Sequence, residues 1–174
     1  LEIEEGEHSH VAIRNALSKY QFLPKQDRAF ITRVCEGTLE YRIQIDYIIN
    51  SFSKVTVDKM KPAIREILRS AVYQLKYMDS VPDSAVCNEA VKLAQRKGFY
   101  NLKPFVNGVL RTIAREMDQV QFPKKEDDLL KYLSVKYSMP EVLVTRWLEA
   151  YGEEITEQIL ADFLTEHPLT IRCR

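Results

Sequence analysis

Apolar residues recur at steps of three and four along almost the whole 174-residue chain. This spacing places them on one side of an α-helix, whose period is about 3.6 residues. A strand would instead require apolar and polar residues to alternate, and no such alternation persists. We therefore predict an all-α fold. The clearest apolar stripe consists of Ile64, Ile67, Leu68, Ala71, Val72 and Leu75.

Prolines and glycines divide this helical pattern into segments. Pro24 separates the first helix from the second, and Gly37 is predicted to loosen or end the next one. Asp58 is of the type that caps a helix N-terminus, so we predict a helix starting at Lys59. Pro62 would then lie in its first turn, where a missing N–H costs little.

A polar connector is predicted at residues 118–128, DQVQFPKKEDD. It separates a domain at residues 1–122 from a shorter helical segment at residues 123–174. The formal net charge is zero overall, but the first part carries +3 and the second −3. Any polyanion is therefore expected to bind the first part.

The second part has its own boundary signals. Ser138 and Glu141 have the spacing of a capping box, in which each side chain bonds the backbone amide of the other residue. Gly152 is placed to end the helix that they open. Another helix is expected from about Glu154 to Leu164, followed by a short β-like run, HPLTIR, at residues 167–172.

Several classes of site are not indicated. The five glycines are too far apart for a glycine-rich phosphate loop. Cys35, Cys87 and Cys173 form no CxxC pair, which favours reduced thiols, the first two buried, over a disulfide or zinc site. His8 and His10 lack further metal ligands nearby. There is no membrane-spanning apolar run, and the acidic N-terminus is unlike a signal peptide, so we expect a cytoplasmic protein without membrane partners.

The strongest candidate surface is cationic. Residues 92–115 hold six lysines or arginines and no acidic residue. Within them Asn107, Arg111 and Arg115 fall four apart, on one side of a predicted helix, where arginine forks suit phosphate oxygens. A solvated face is the ordinary alternative, and Asn107 could equally cap or brace a neighbouring helix.

A second cationic surface is predicted on the helix around residues 62–78. Its arginines could bind phosphates, and its tyrosines could stack on unpaired bases. The alternative is internal pairing, for which Arg69 and Glu66, three residues apart, are suitably spaced. This surface comprises Arg65, Arg69, Lys76, Tyr73 and Tyr77.

Five blocks together resemble the NusB-like helical domain. That fold is shared by the NusB antitermination factors and by the N-terminal domain of RsmB-type (Fmu/Sun) bacterial 16S rRNA cytosine-C5 methyltransferases. The resemblance covers nearly all of residues 1–117 and implies an all-α NusB-like bundle. The blocks are DRAF (27–30), IDYIIN (45–50), PAIREILRSAVYQL (62–75), VPDSAVCNEAVKLA (81–94) and FVNGVLRTIARE (105–116).

Residues 129–172 resemble the segment that leads into the catalytic domain of the RsmB-type enzymes. They contain a Ser-x-Pro turn, a Trp-bearing helix, Tyr-Gly and Pro-Leu-Thr-Ile-Arg, an extension that NusB itself does not have. Two departures accompany the resemblance. Leu1 falls part-way along the family's first helix, and the chain ends Arg172-Cys173-Arg174 where the family usually continues Arg-x-Asn.

The resemblance implies the RNA-binding N-terminal portion of a small-subunit rRNA methyltransferase. S-adenosylmethionine would bind in a catalytic domain absent from this chain, and no cysteine here matches the catalytic motifs, so no catalytic, cofactor or metal residue is assigned. The alternatives are a NusB-type antitermination and protein-interaction module that contacts a ribosomal protein, and a structural brace for the catalytic domain. The expected RNA-binding residues are Arg111, Arg115, Asn107, Lys97, Lys103, Tyr100, Arg65 and Arg69.

Overall fold

The computed structural model describes residues 6–165, and these contain eight α-helices and no strand. The all-α prediction is therefore confirmed for this part of the chain. Short 3-10 turns lie at Val57–Lys59, Tyr100–Leu102 and Met117–Gln119. The helices are α1 (Ser9–Ser18), α2 (Lys25–Glu40), α3 (Arg42–Phe52), α4 (Pro62–Tyr77), α5 (Asp83–Arg96), α6 (Lys103–Glu116), α7 (Leu129–Tyr137) and α8 (Glu141–Phe163).

The chain divides into two compact units between Gln121 and Phe122. In the first unit α4 is central and packs against α2, α3, α5 and α6. Its predicted apolar stripe is buried, except for Leu75, which is partly buried against the same core. Each fully buried leucine or isoleucine contributes about 1.5–3 kcal/mol. The bundle is therefore organised around the helix with the clearest periodicity.

Gly37 lies inside α2, which continues to Glu40, so the predicted interruption there is wrong. A Cβ atom on Gly37 would overlap the ring of Tyr73 on α4. The glycine thus allows α2 and α4 to approach closely. This reason for glycine depends on packing between helices and is not visible in the local sequence.

The connection between α3 and α4 also differs from the prediction. Asp58 lies within the 3-10 turn Val57–Lys59, and α4 begins only at Pro62. The side-chain oxygen of Asn50 accepts a hydrogen bond of 2.9 Å from the amide of Val57, which fixes the turn to the end of α3. Pro62 is tolerated because the first turn of a helix has no intrahelical use for its N–H.

The second unit contains α7 and α8. Leu133, Val144 and Leu160 are fully buried and form its core, with Trp147 and Leu148 packed against them. Gly152 interrupts the helical backbone of α8 with a φ of 77°, at the position predicted to end that helix. A second arm then runs on to Phe163, close to the predicted helix of residues 154–164.

The predicted capping box is wrong. Ser138 has a left-handed φ of 52° and ends α7, and α8 begins after Pro140. The cap that does form is at the start of α7, where the carboxylate of Asp128 accepts a 2.9 Å hydrogen bond from the amide of Lys131. The spacing rule failed because Ser138 is the C-cap residue of α7. Its left-handed backbone conformation ends that helix and does not begin the next one.

None of the helices in residues 6–165 is long and apolar enough to cross a membrane. The predicted β-like run at residues 167–172, together with Cys173, lies outside the described residues.

Candidate nucleic-acid interface

Helix α6 separates an apolar face from a polar one. Val106, Leu110 and Ile113 are fully buried, where α6 packs against α3, α4 and α5. The polar residues repeat every fourth position along another side, so they form one line about 18 Å long at a rise of about 1.5 Å per residue. This α6 line consists of Lys103, Asn107, Arg111 and Arg115.

The two arginines of the α6 line are exposed, and its lysine and asparagine are half-buried. Arg111 lies on α6, which packs against α5, the helix that carries the buried Cys87. Burial raises the pKa of the Cys87 thiol, Asp83 raises it further, and the charge of Arg111 lowers it. Arg111 is therefore an exposed cation at the seam of α5 and α6.

Arg115 carries an internal partner. Its Nε and Nη2 atoms both donate to Oε1 of Glu116, at 3.0 and 2.6 Å. The side chain of Arg115 is nevertheless 69% exposed. Exposed ion pairs of this kind are worth about 0–1 kcal/mol, so a phosphate can replace the Glu116 carboxylate at little cost.

Tyr100 and Lys103 meet where α6 begins. Tyr100 is 62% exposed, and the Lys103 ammonium lies 4.5 Å from the centre of its ring. Lys103 also donates a 3.1 Å hydrogen bond to Oε1 of Gln95 on α5. The structure thus brings together two predicted site residues and adds Lys103 to the line of Asn107, Arg111 and Arg115.

Lys97, another predicted RNA contact, is exposed just after the end of α5. It lines a cleft with residues of α2 and α4, among them Cys35 and Glu66. Burial raises the pKa of the Cys35 thiol, as does the charge of Glu36. Cys35 is only half-buried, whereas Cys87 is buried as predicted. Lys97 therefore shares its surroundings with an acidic residue.

The predicted RNA contact at Arg69 is wrong, because this side chain is buried and fully engaged. Its Nε and Nη2 atoms donate to the two carboxylate oxygens of Asp46 on α3, both at 2.7 Å, and Nη1 donates to Glu66 at 2.6 Å. The residue is 6% exposed. Burial opposes its charge, but the two carboxylates outweigh burial and raise the pKa of the guanidinium. The alternative, pairing of Arg69 with Glu66, is confirmed.

The rest of the second predicted surface is also largely internal. Arg65 is only 18% exposed along its side chain and lies 3.6 Å from Glu66. Tyr73 is buried, so it cannot stack on a base. Tyr77 stacks on Tyr41, with ring centres 4.3 Å apart, and burial raises the pKa of its hydroxyl. These tyrosines join α2 to α4 and do not form a platform for RNA.

A cationic cleft between α1 and α2 was not predicted. It is lined by His10, Arg14 and Arg28, with Glu36 as an acidic neighbour. The Nε atom of Arg28 is buried and has no hydrogen-bond partner within residues 6–165. Arg14 and Arg28 lie on either side of Pro24, so only the packing of α1 on α2 reveals that they belong together.

Two lysines of the second unit, Lys125 and Lys136, share one carboxylate. Glu157 accepts hydrogen bonds from Lys125 at 2.9 Å, and from Lys136 and Tyr137 at 3.0 Å each. The bond from Lys125 is the largest of the effects that lower the pKa of Glu157 to about 2. Across residues 6–165 no group of His, Cys, Asp and Glu side chains is arranged to hold a metal ion.

Comparison with known proteins gives two kinds of relative. The "Probable ribosomal RNA small subunit methyltransferase B" of Bacillus subtilis (strain 168) is 34% identical over 172 residues, which are 99% of this chain and 38% of that protein. A protein of the same name from Synechocystis sp. is 32% identical to this chain, over 95% of this chain and 36% of that protein. This chain thus spans little more than a third of these relatives.

The second kind of relative matches only part of the chain. The "Transcription antitermination protein NusB" of Acidothermus cellulolyticus is 42% identical over 85 residues, which are 48% of this chain and 59% of that protein. The NusB family itself matches residues 2–115, which include α1 to α5 and nearly all of α6. The all-helical bundle and this match agree, and the chain belongs to the NusB family.

Proposed function

We propose that this chain is the RNA-binding N-terminal portion of a small-subunit rRNA methyltransferase, and that its first unit helps to position structured rRNA. The observation that carries the proposal is the α6 line, with exposed arginines in a stretch that lacks acidic residues between Lys92 and Arg115. Phosphate contacts supply most of the non-specific affinity of proteins for nucleic acids. The relatives that match the chain along nearly its whole length are named as rRNA methyltransferases.

The cleft between α1 and α2 provides a second cationic patch in the same unit. Arg14 is exposed there and can donate to a phosphate oxygen, and Arg28 adds a second positive charge to the lining of the cleft. We assign this cleft to the same RNA ligand, as a contact secondary to the α6 line. Lys97 and Arg65 remain peripheral, because Lys97 lines a cleft with Glu66 and the Nε atom of Arg65 lies 3.6 Å from the Glu66 carboxylate.

The methyl transfer itself belongs, in this proposal, to a catalytic domain that follows the second unit and binds S-adenosylmethionine. The second unit supports a bracing role towards such a domain. Tyr151, Ile155 and Phe163 on α8 are each at least 50% exposed, although they are apolar or aromatic. An exposed set of this kind is typical of a protein contact.

Antitermination is the second candidate function. It is supported by the relatives named NusB, which match the helical bundle. The methyltransferase assignment is preferred because the relatives with that name also match the second unit, over 95–99% of the chain. A ribosomal protein is proposed as an additional partner of the bundle, and we expect the protein to act in the cytoplasm.

The proposal is tested by titrating the chain into a labelled small-subunit rRNA fragment at two salt concentrations and recording fluorescence anisotropy. Binding should weaken steeply with salt. The double variant Arg111→Ala/Arg115→Ala should flatten the dependence of log K on log salt, by about 0.7 for each phosphate of a single strand that is no longer neutralised.

The matched control is Lys131→Ala/Arg146→Ala, which removes two exposed cations from the second unit. It lowers the net charge equally and should leave the salt slope unchanged. Equal effects of the two double variants would mean that RNA responds to overall charge and not to the α6 line. A folded wild-type chain that does not bind at low salt would overturn the proposed function.

A further inference from the structure

Tyr100 is a large aromatic side chain that the fold leaves in solvent. It is 62% exposed, in contrast to the buried Tyr73 and the stacked Tyr77. It lies in the 3-10 turn that joins α5 to α6, next to the first residue of the α6 line. The Tyr100 ring is not part of the buried core of the bundle, so packing does not explain why an aromatic residue lies here.

The backbone turn that carries Tyr100 is formed before any ligand binds. The turn is fixed by backbone hydrogen bonds, from the Phe99 amide to the Ala94 carbonyl at 2.9 Å and from the Leu102 amide to the Phe99 carbonyl at 3.0 Å. The Lys103 ammonium covers one face of the ring at 4.5 Å and is itself tied to Gln95. The turn therefore needs no backbone rearrangement when a flat ligand stacks on the ring.

Cations extend from this ring in one direction along α6. Lys103 lies over one face of the ring, and Arg111 and Arg115 follow on the same line. An aromatic ring with a row of cations beside it matches the way proteins bind single-stranded nucleic acid, with bases stacked on aromatic rings and phosphates held by basic groups. Inside a base-paired helix each base is stacked on both faces, so free base faces remain only at the two ends of the helix.

We propose that Tyr100 and Lys103 form a stacking platform for one unpaired base, and that the RNA bound along the α6 line is single-stranded or a loop at that point. This inference rests on the proposed RNA-binding function and deepens it by naming the class of RNA. Because every base has a flat π-face, the platform selects for an unpaired nucleotide and not for a particular sequence.

The test compares two labelled probes, a single-stranded oligoribonucleotide and a blunt-ended RNA duplex of the same length, by anisotropy with the full chain. Tyr100→Ala should weaken binding of the single strand by roughly 5- to 150-fold, the equivalent of about 1–3 kcal/mol per stacked base. Binding of the duplex should change less than about twofold. The salt slope should stay constant because the cations that face the phosphates are all retained.

Two further variants separate stacking from other effects. Tyr100→Phe keeps the ring and should bind the single strand nearly as wild type does. Tyr151→Ala removes a tyrosine that is 54% exposed in the second unit and should change neither affinity. A 2-aminopurine placed in the single strand should be quenched by wild type and Tyr100→Phe but not by Tyr100→Ala.

The outcomes distinguish the two proposals. If wild type binds RNA but Tyr100→Ala weakens single strand and duplex equally, or weakens neither, the platform is wrong and the proposed function stands. If wild type prefers the duplex, the platform is likewise wrong and the proposed function stands. If wild type binds neither probe at low salt while circular dichroism shows helical structure, both the platform and the proposed function are overturned.

Discussion

Arginine residues on α4 and α6 belong to neighbouring helices of one bundle and have opposite surroundings. Arg69 on α4 is 6% exposed and bound to two carboxylates. Arg111 and Arg115 on α6 are exposed, and the nearest acidic partner of Arg115 is a single adjacent glutamate. The same type of side chain thus joins helices in one place and is exposed to solvent in the other.

The difference follows from how many sides of each helix are covered. α4 is surrounded by α2, α3, α5 and α6, so a cation on α4 can be buried between helices. A buried charge is costly unless carboxylates pair with it. Asp46 on α3 supplies one of them with bidentate geometry. The two arginines of the α6 line are exposed, so they keep their solvation. A cationic residue therefore indicates a binding surface only when its helix face is open.

The largest effect should come from Arg69→Ala. It leaves Asp46 and Glu66 without their shared cation in a low-dielectric site, and breaking such a pair costs about 3 kcal/mol. We expect urea unfolding, followed by circular dichroism, to show that loss in the free energy of unfolding. Arg69→Lys keeps the charge but not the bidentate geometry and should lose less. A loss below about 1 kcal/mol for Arg69→Ala would show that the network does not hold α3 to α4.

The contrast between these arginines also shows how much of the structure is predictable from the sequence. Helical periodicity predicts the all-α fold and the buried stripe of α4, because that signal is local and repeated. It cannot reveal that Asp46, which lies 23 residues before Arg69 in the sequence, binds the Arg69 guanidinium, so that this arginine is buried in the protein. The prediction at Gly37 is wrong for the same reason, since the role of this glycine depends on Tyr73 in another helix. Local patterns carry no information on which distant residue lies opposite.

Within the candidate site the same limit applies. The stretch without acidic residues and the spacing of four residues along α6 are visible in the sequence, because each involves residues close together in the chain. The cleft of Arg14 and Arg28 is not, because its two arginines come from different helices. The capping box at Ser138 fails because a left-handed backbone at that residue overrides the spacing rule.

In the second unit Glu157 pairs with two lysines, Lys125 and Lys136, that are partly exposed. Lys125 and Lys136 are 39% and 45% exposed along their side chains. Because the pKa of Glu157 is lowered from 4.5 to about 2 in the folded state, its contribution to stability is complete above about pH 4.5. It is lost as the pH falls from there towards 2. Glu157→Gln should cost about 2 kcal/mol at pH 7, after allowance for solvent screening.

The measurement is the free energy of unfolding of the second unit for wild type and Glu157→Gln, at pH 7 and at pH 2.5. The difference between the two proteins should shrink at the lower pH, because the wild-type carboxylate is then partly protonated. Glu154→Gln changes a neighbouring exposed carboxylate that receives no such bonds in the described residues and serves as the control. A difference that does not depend on pH would mean that packing, not charge, explains the effect of Glu157.

Arg111→Ala/Arg115→Ala is the direct counterpart of Arg69→Ala. We expect RNA affinity to fall about tenfold at low salt, or about 1.4 kcal/mol, because two phosphates are left without their arginines. The free energy of unfolding should change by no more than about 0.5 kcal/mol, as is usual for surface substitutions. Measured together, the α4 and α6 variants should therefore separate stability from binding. A double variant as unstable as Arg69→Ala would remove the distinction between the two helices.

Glu116→Gln should give the smallest effect and the opposite sign. Oε1 of Glu116 occupies two donors of Arg115, at 3.0 and 2.6 Å, in the place where a phosphate oxygen would lie. Removing the carboxylate charge weakens this internal competitor, and exposed pairs are worth about 0.2–1 kcal/mol. RNA affinity should therefore rise by about 1.4- to 5-fold, as measured by anisotropy at low salt. In the Arg115→Ala background the same substitution should gain less, because the competition it relieves is already gone. An equal gain in both backgrounds would indicate a general charge effect and would count against Arg115 as a phosphate contact.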